Sequence, residues 1–198
     1  MTEPPDADAP FNLSATPLES DPSVIYALDR EFHIRYCNRA WDEFAVDNAG
    51  EHLRRASVVG RPLFDFISGP PEAHFREACR RVLEENKAWM QEYECSSAGT
   101  FRKFAMHVHP FGGGAGLLVV NSLLVQNPHD EAAHPALEAA YRDSNGLIVM
   151  CSNCRRTRRC GEDEVWVWAP GFVSAPPHRV SHGLCPPCVE GYLFALQD

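Results

Sequence analysis

Apolar residues in this chain first alternate in short runs, then recur at helical spacing, then return to strand-like runs. Val24-Ile-Tyr-Ala-Leu28 predicts a strand, Asp29-Arg30-Glu31 a turn, and Phe32 to Cys37 alternates as the return strand. Asn38 follows as a helix N-cap, because its side chain can accept an orphan backbone N–H, and Trp41, Phe44 and Ala45 recur at helical spacing behind it. Gly50 closes that helix, and Gly60-Arg-Pro restarts the chain before Leu63-Phe-Asp-Phe-Ile67. Pro70-Pro71 opens a long helix whose buried stripe is Phe75, Cys79, Val82 and Leu83, with its end near Asn86. Three strands are expected next, at Trp89–Cys95, Phe101–His109 and Gly116–Val125.

The second of these strands alternates, so that Phe104, Met106 and Val108 share one face while Lys103, His107 and His109 share the other. Leu117-Leu-Val-Val120 does not alternate, which predicts cover on both faces. Gly112-Gly-Gly-Ala-Gly116 has the composition of a phosphate cradle, but its place between two strands makes it a hairpin turn. The first 20 residues carry four prolines and few large apolar side chains, which predicts a flexible acidic tail. Its Phe11, Leu13 and Leu18 are available to dock on the domain or on a second copy. Residues 128–145 read as a linker, with a short helix over Pro135–Tyr141.

Composition narrows the function classes. At 198 residues and 44% hydrophobic content, the chain suits one ordinary domain with a small appendage. A net charge of −9 argues against broad nucleic-acid binding, which needs clustered positive surface. Arg155, Arg156, Arg158 and Arg159 are the local exception, read as a turn balanced by Glu162, Asp163 and Glu164 or as a docking patch for an acidic partner. No uninterrupted apolar run suggests a membrane span, and Met1 to Asp8 lacks the features of a secretory signal, so a cytoplasmic setting is expected.

The candidate chemistry lies in two C-x-x-C pairs, Cys151/Cys154 and Cys185/Cys188. A two-residue gap lets the backbone fold into a tight knuckle with both sulfurs on one side, and two knuckles present four thiolates to one tetrahedral ion. The 30 residues between the pairs exceed the usual zinc-ribbon spacing and leave room for a strand pair or a helix. Structural Zn2+ is the expectation; redox-active thiols and inert cysteines remain alternatives. A closed site of four cysteines leaves no position for a catalytic water, so this zinc would hold the fold rather than drive a reaction. His182 and Cys160 are alternate ligands, or residues that support a ligand sulfur, and Trp166, Trp168 and Phe172 are placed to pack over the site. His107 and His109 share a strand face at chelating spacing, although an exposed sheet surface is the plainer account. Fingerprints for acyl transfer, phosphate binding or dinucleotide binding do not occur in the sequence, and an enzyme is not expected.

The order strand, strand, helix, short helices, long helix, three strands resembles a PAS domain over residues 21–127, supported by Tyr36-Cys-Asn-Arg-Ala-Trp41 and the Val59-Gly-Arg61 break. The resemblance implies an α+β fold: a five-stranded antiparallel sheet with helices on one face, followed by a small zinc-ribbon-like unit over 146–198. It also implies a ligand pocket lined by Tyr26, Trp41, Phe44, Phe64, Phe75, Cys79, Phe104 and Met106, either filled as a core or open to an apolar or planar ligand. Haem or flavin is a further alternative. His74 is the candidate haem ligand, but its place off the apolar stripe predicts an exposed side chain.

The C-terminal stretch, with Met150-Cys-Ser-x-Cys-Arg155, Trp166 and Ser181-His-Gly-Leu-Cys-Pro-x-Cys188, resembles Cys-rich tails of bacterial PAS- and receiver-containing signalling proteins. Together these resemblances imply a non-enzymatic sensor acting through protein contacts with a signalling partner. A homodimer is expected, because helices cover one sheet face and the apolar residues of the last strand need cover on the other.

Overall fold

The computed structural model describes residues 9–67, 70–129, 137–161 and 165–194. The chain divides into two compact units, one of residues 1–92 with 105–122, the other of residues 93–104 with 123–198. Within the first unit, β1 (Val24–Asp29) and β2 (Ile34–Cys37) form a hairpin, followed by α1 (Arg39–Asp47), α2 (Arg55–Val58) and α3 (Pro70–Glu85). Three strands complete the sheet: β3 (Trp89–Glu94), β4 (Thr100–Phe111) and β5 (Gly116–Pro128), in the order β2-β1-β5-β4-β3. This is the expected PAS-like antiparallel sheet with helices.

Local chemistry sets these elements. Asp29 Oδ1 accepts from the backbone N–H groups of Glu31 and His33, which closes the β1–β2 turn with Phe32 at φ 65°. Asn38 is fully buried and caps α1 by accepting from the Trp41 N–H. The same oxygen accepts from Ile25 N–H at 3.0 Å, and Nδ2 donates to the carbonyls of Leu18, Asp21 and Ser23. One amide thus fastens the segment before β1, β1 itself and α1. Gly112, Gly113 and Gly114 all have positive φ and form the β4–β5 turn, where the Gly114 carbonyl accepts from Arg30. Gly116 pairs with Asp29, and a Cβ there would stand 1.9 Å from the Leu28 carbonyl oxygen.

The two faces of this sheet are covered differently. On one, α3 lays Phe75, Cys79 and Val82 against Leu28, Ile34, Val108, Leu117 and Val119. On the other, Phe11 and Leu13 pack with Ile25, Ala27 and Tyr36, alongside Leu18, Phe111, Leu118 and Val120. Residues 9–20 therefore depart from the expected tail: they form two 3-10 turns docked on the sheet, while residues 1–8 lie outside the described residues. The segment is secured where Tyr36 donates to Glu19 at 2.9 Å, Glu19 pairs with Arg55 at 2.7 Å, and Arg55 pairs with Asp42 at 2.8 Å. The sheet face expected to need a second subunit is covered by the chain's own N-terminal segment.

The unit boundary also differs from the expected break after residue 127. β1 pairs with β5 only over Gly116–Asn121, whereas β5 runs to Pro128. The outer reaches of the long strands therefore have no β1 beside them and group with the C-terminal residues. The second unit adds a four-stranded sheet of β6 (Ile148–Cys151), β7 (Thr157–Arg159), β8 (Val165–Val167) and β9 (Val180–Gly183), ordered β8-β7-β6-β9, with β6 and β9 parallel. α4 (Pro170–Ser174) and α5 (Pro186–Phe194) complete it. Its core is Tyr141, Ile148, Met150, Val167, Ala169 and Phe172, with Tyr141 and Phe172 edge to face at 5.1 Å. Within the expected linker, the described residues Glu138–Ala140 form a 3-10 turn and Tyr141 is core, while residues 130–136 lie outside the described ones.

Candidate metal centre

Two knuckles bring the four predicted cysteines together. The first follows from the end of β6: Cys151 N–H donates to the Arg156 carbonyl at 2.7 Å, Arg155 N–H donates to the Cys151 carbonyl, and Arg155 takes φ 67° to make the reversal. The second is the start of α5, where Cys188 and Val189 N–H groups donate to the Cys185 carbonyl. Parallel pairing of β6 with β9 sets Cys151 opposite Gly183, two residues before Cys185, and Ser152 N–H donates to the Gly183 carbonyl at 2.8 Å. That pairing carries the second knuckle to the first across the 30 intervening residues.

The sulfurs of Cys151, Cys154, Cys185 and Cys188 all lie within 4.8 Å of one another, with Cys154 and Cys185 at 3.5 Å. Zn–S bonds of about 2.3 Å would set tetrahedral sulfurs about 3.8 Å apart, so the donor set suits such an ion in number, softness and span. Cys151, Cys154 and Cys185 are buried, Cys188 is half-buried, and Trp166 and Leu184 pack against the group. The thiols act on one another. Hydrogen bonds from Cys154 and Cys188 hold Cys151 well below the usual thiol range, and donating to Cys151 pushes the other two up. A divalent cation would take the place of those shared protons.

Two neighbours reach the sulfurs without being cysteines. Asn153 Nδ2 donates to Cys188 Sγ at 3.3 Å, and Arg156 donates to Cys154 Sγ at 3.4 Å. Arg156 also grips Glu94 with both arms, at 2.8 and 3.0 Å. Burial works against charge on this guanidinium, but Glu94 and the Cys154 sulfur more than offset it and raise its pKa. The sequence offers Arg156 as part of a solvated turn or of a docking patch; the one signal for its role beside the sulfurs is its position two residues after Cys154. Arg158 lies 3.8 Å from Asp143, so the carboxylates facing this run include Glu94 and Asp143, while Glu162, Asp163 and Glu164 lie outside the described residues.

The remaining candidates are placed elsewhere. His182 is exposed on β9 opposite Met150, and Cys160 Sγ donates to the Tyr141 carbonyl at 3.4 Å; neither joins the sulfur cluster. Of the three aromatics expected over the site, Trp166 packs there, Phe172 joins the Tyr141 core, and Trp168 donates to the Ala98 carbonyl and stacks on His129 at 4.3 Å. His107 and His109 stack on each other at 6.0 Å on β4, outside the cluster.

The expected pocket residues largely pack as core. Tyr26, Phe64, Phe75 and Cys79 belong to one cluster, with Trp41 and Met106 against it. Tyr26 meets Trp41 edge to face at 5.3 Å, and Trp41 Nε1 donates to the Leu53 carbonyl at 2.7 Å. Phe44 is half-buried outside that cluster, and Phe104 belongs to the second unit, stacked on Tyr93 at 5.7 Å. Burial pushes the Cys79 thiol up to about 12, as expected of an inert core thiol. His74 is 7% exposed rather than exposed at the surface, because the ring turns toward β3: Nε2 pairs with Gln91 Oε1 at 2.9 Å and the ring lies 5.8 Å from Trp89.

The sheet and its helices define a sensor-type α+β module, joined in one chain to a unit with a metal-competent cysteine cluster. A family model for the PAS fold matches residues 18–123, just over half of the chain, and the chain belongs to that family. PAS domains are typically sensory, non-catalytic modules, and this membership supports a signalling role.

Similar solved structures include the PAS domain of the Cronobacter turicensis RpfR quorum-sensing receptor in complex with BDSF, at 19% identity and TM-score 0.40, covering 53% of this chain and 96% of that one. A PAS domain from a Colwellia psychrerythraea protein is similar at 15% identity and TM-score 0.43, covering 58% and 96%. The PAS domain of Bordetella pertussis BvgS is similar at 17% identity and TM-score 0.42, covering 59% and 85%. Comparison with curated proteins returns no match. No helix among the described residues is long and apolar enough to cross a membrane.

Proposed function

We propose that this chain is a non-enzymatic signalling protein in which a PAS module is joined to a structural zinc site of Cys151, Cys154, Cys185 and Cys188, and which works through contacts with a signalling partner. The observation that carries the zinc is the approach of four sulfurs within 4.8 Å at the close of two knuckles. A second unit with so small an apolar core gains folding free energy from such an ion. Four cysteines serve this purpose only when reduced, so a cytoplasmic setting belongs to the proposal. The sensor core is read as filled, because Tyr26, Trp41, Phe64 and Phe75 occupy one another's space. Elemental analysis of protein purified under reducing conditions should find one zinc ion per chain; well under half an equivalent would refute the site. An absorbance spectrum should show no chromophore, and a haem or flavin band would overturn the filled core.

One observation favours redox response as a second reading. The Cys154 and Cys185 sulfurs lie 3.5 Å apart, near enough to join as a disulfide when peroxide oxidises the pair and the metal leaves. Peroxide should then release zinc in proportion to sulfur oxidised. A homodimer also remains in the proposal, on a different surface from the covered sheet face. Leu123, Leu124 and Val125 of β5 are 50%, 48% and 39% exposed, and no strand among the described residues pairs with them on the side that β1 occupies up to Asn121.

A further inference from the structure

We infer that Arg156 is the charge-compensating residue of the cysteine site, and that its grip on Glu94 ties metal occupancy to the β3–β4 hairpin of the same unit. The inference rests on the zinc reading above. Four thiolates around a divalent cation carry a net charge of about −2, and a charge of that size is costly to hold out of water without a counter-charge. Arg156 reaches Cys154 Sγ at 3.4 Å with its guanidinium and also through its backbone N–H, while the other side-chain bond to a sulfur from outside the cysteines among the described residues, Asn153 to Cys188, comes from a neutral amide. The guanidinium is only 26% exposed and Glu94 24%, so this pair is less screened than an ion pair at the surface. Its two arms hold both carboxylate oxygens of Glu94, a fork geometry that lysine cannot reproduce.

Arg156 is anchored at both ends. Its carbonyl accepts the Cys151 N–H at 2.7 Å and so forms part of the first knuckle, while its side chain spans 62 residues of sequence to the end of β3. The rest of the hairpin also meets the same unit, where the Trp168 indole donates to the Ala98 carbonyl and the His129 N–H donates to the Gly99 carbonyl at 3.0 Å. Metal that orders the knuckle orders the backbone carrying Arg156, and through it the hairpin. Linkage is reciprocal, so cutting the clamp must weaken metal binding. Arg156 is thus a positioning residue that relays the state of the cysteine site to strands that continue into the PAS sheet.

The test uses the full chain, zinc competition against a chromophoric chelator, and hydrogen exchange read on peptides from residues 93–104. In the unaltered protein, zinc removal should speed exchange there and leave α3 unchanged. Arg156→Met should weaken zinc binding about 10- to 100-fold, and Arg156→Lys should recover only part of the loss. In Glu94→Gln, which leaves every knuckle residue in place, the response of hairpin exchange to zinc should fall by more than half. Cobalt substitution supplies a readout insensitive to general destabilisation: loss of the hydrogen bond to Cys154 should move the sulfur-to-cobalt charge-transfer band to lower energy in Arg156→Met. If that variant fails to fold its tail, Glu94→Gln decides. An unaltered protein that binds no zinc overturns the zinc reading and this inference with it. Normal zinc uptake with Arg156→Met at full affinity, or with Glu94→Gln as zinc-responsive in the hairpin as the unaltered protein, overturns the relay alone.

Discussion

Single residues divide into those whose role is local and those whose role depends on distant chain. Asn38 shows both. Its capping of α1 is readable from its place before Trp41, but its bonds to Leu18, Asp21, Ser23 and Ile25 depend on the hairpin bringing that strand alongside. Asn38→Ala should therefore cost more than a lost cap. Several buried backbone groups lose their partner at once, and urea unfolding should show a loss of about 2–4 kcal/mol. A change under about 1 kcal/mol would mean that water replaces the amide. The four cysteines were legible because their spacing is local within each knuckle. Arg156 was not, because nothing in the sequence marks Glu94 as its partner across 62 residues.

At the scale of elements, β1 to β5, α1 and α3 followed from periodicity, since each buried stripe is a local pattern, whereas the short strands and helices of the cysteine unit carry too few residues to show one. The N-terminal segment did not: prolines made Pro10–Ser20 look unstructured, and its few apolar residues gain their value only from an apolar sheet face waiting for them. Its attachment should depend on pH. Burial works to raise the Glu19 carboxyl, but hydrogen bonds from Arg55 and Tyr36 outweigh it and hold the pKa below its ordinary value. A depressed carboxylate contributes stability that is fully present above its unfolded pKa and is lost as pH falls through the folded one. Acid below about pH 4 should then loosen residues 9–20 first, seen as faster hydrogen exchange there while α3 stays protected. Glu19→Gln should show loosened exchange at neutral pH and lose the acid dependence. Retention of the full pH response in that variant would assign it to another group.

For the whole molecule, the metal and the assembly can be examined separately. Cys185→Ser should abolish stoichiometric zinc and speed exchange across 137–194 and the 93–104 hairpin, with α3 unaffected, because α3 belongs to the other compact unit. Light scattering at micromolar concentration should report about twice 22.1 kDa, and Leu124→Lys should return it to the single-chain mass without loss of zinc. A single-chain mass for the unaltered protein across a tenfold concentration range would reject the dimer. The unit division itself was not legible, since domain breaks in a sequence are sought at linkers, whereas here β4 and β5 each pass from one compact unit into the other. That threading has a consequence for inheritance. A gene crossover at any single point either splits the hairpin from the tail that packs with it or carries part of the sensor along. The cysteine unit is therefore a poor cassette for shuffling between proteins: it can be passed on intact only together with the strands it has grown to fit.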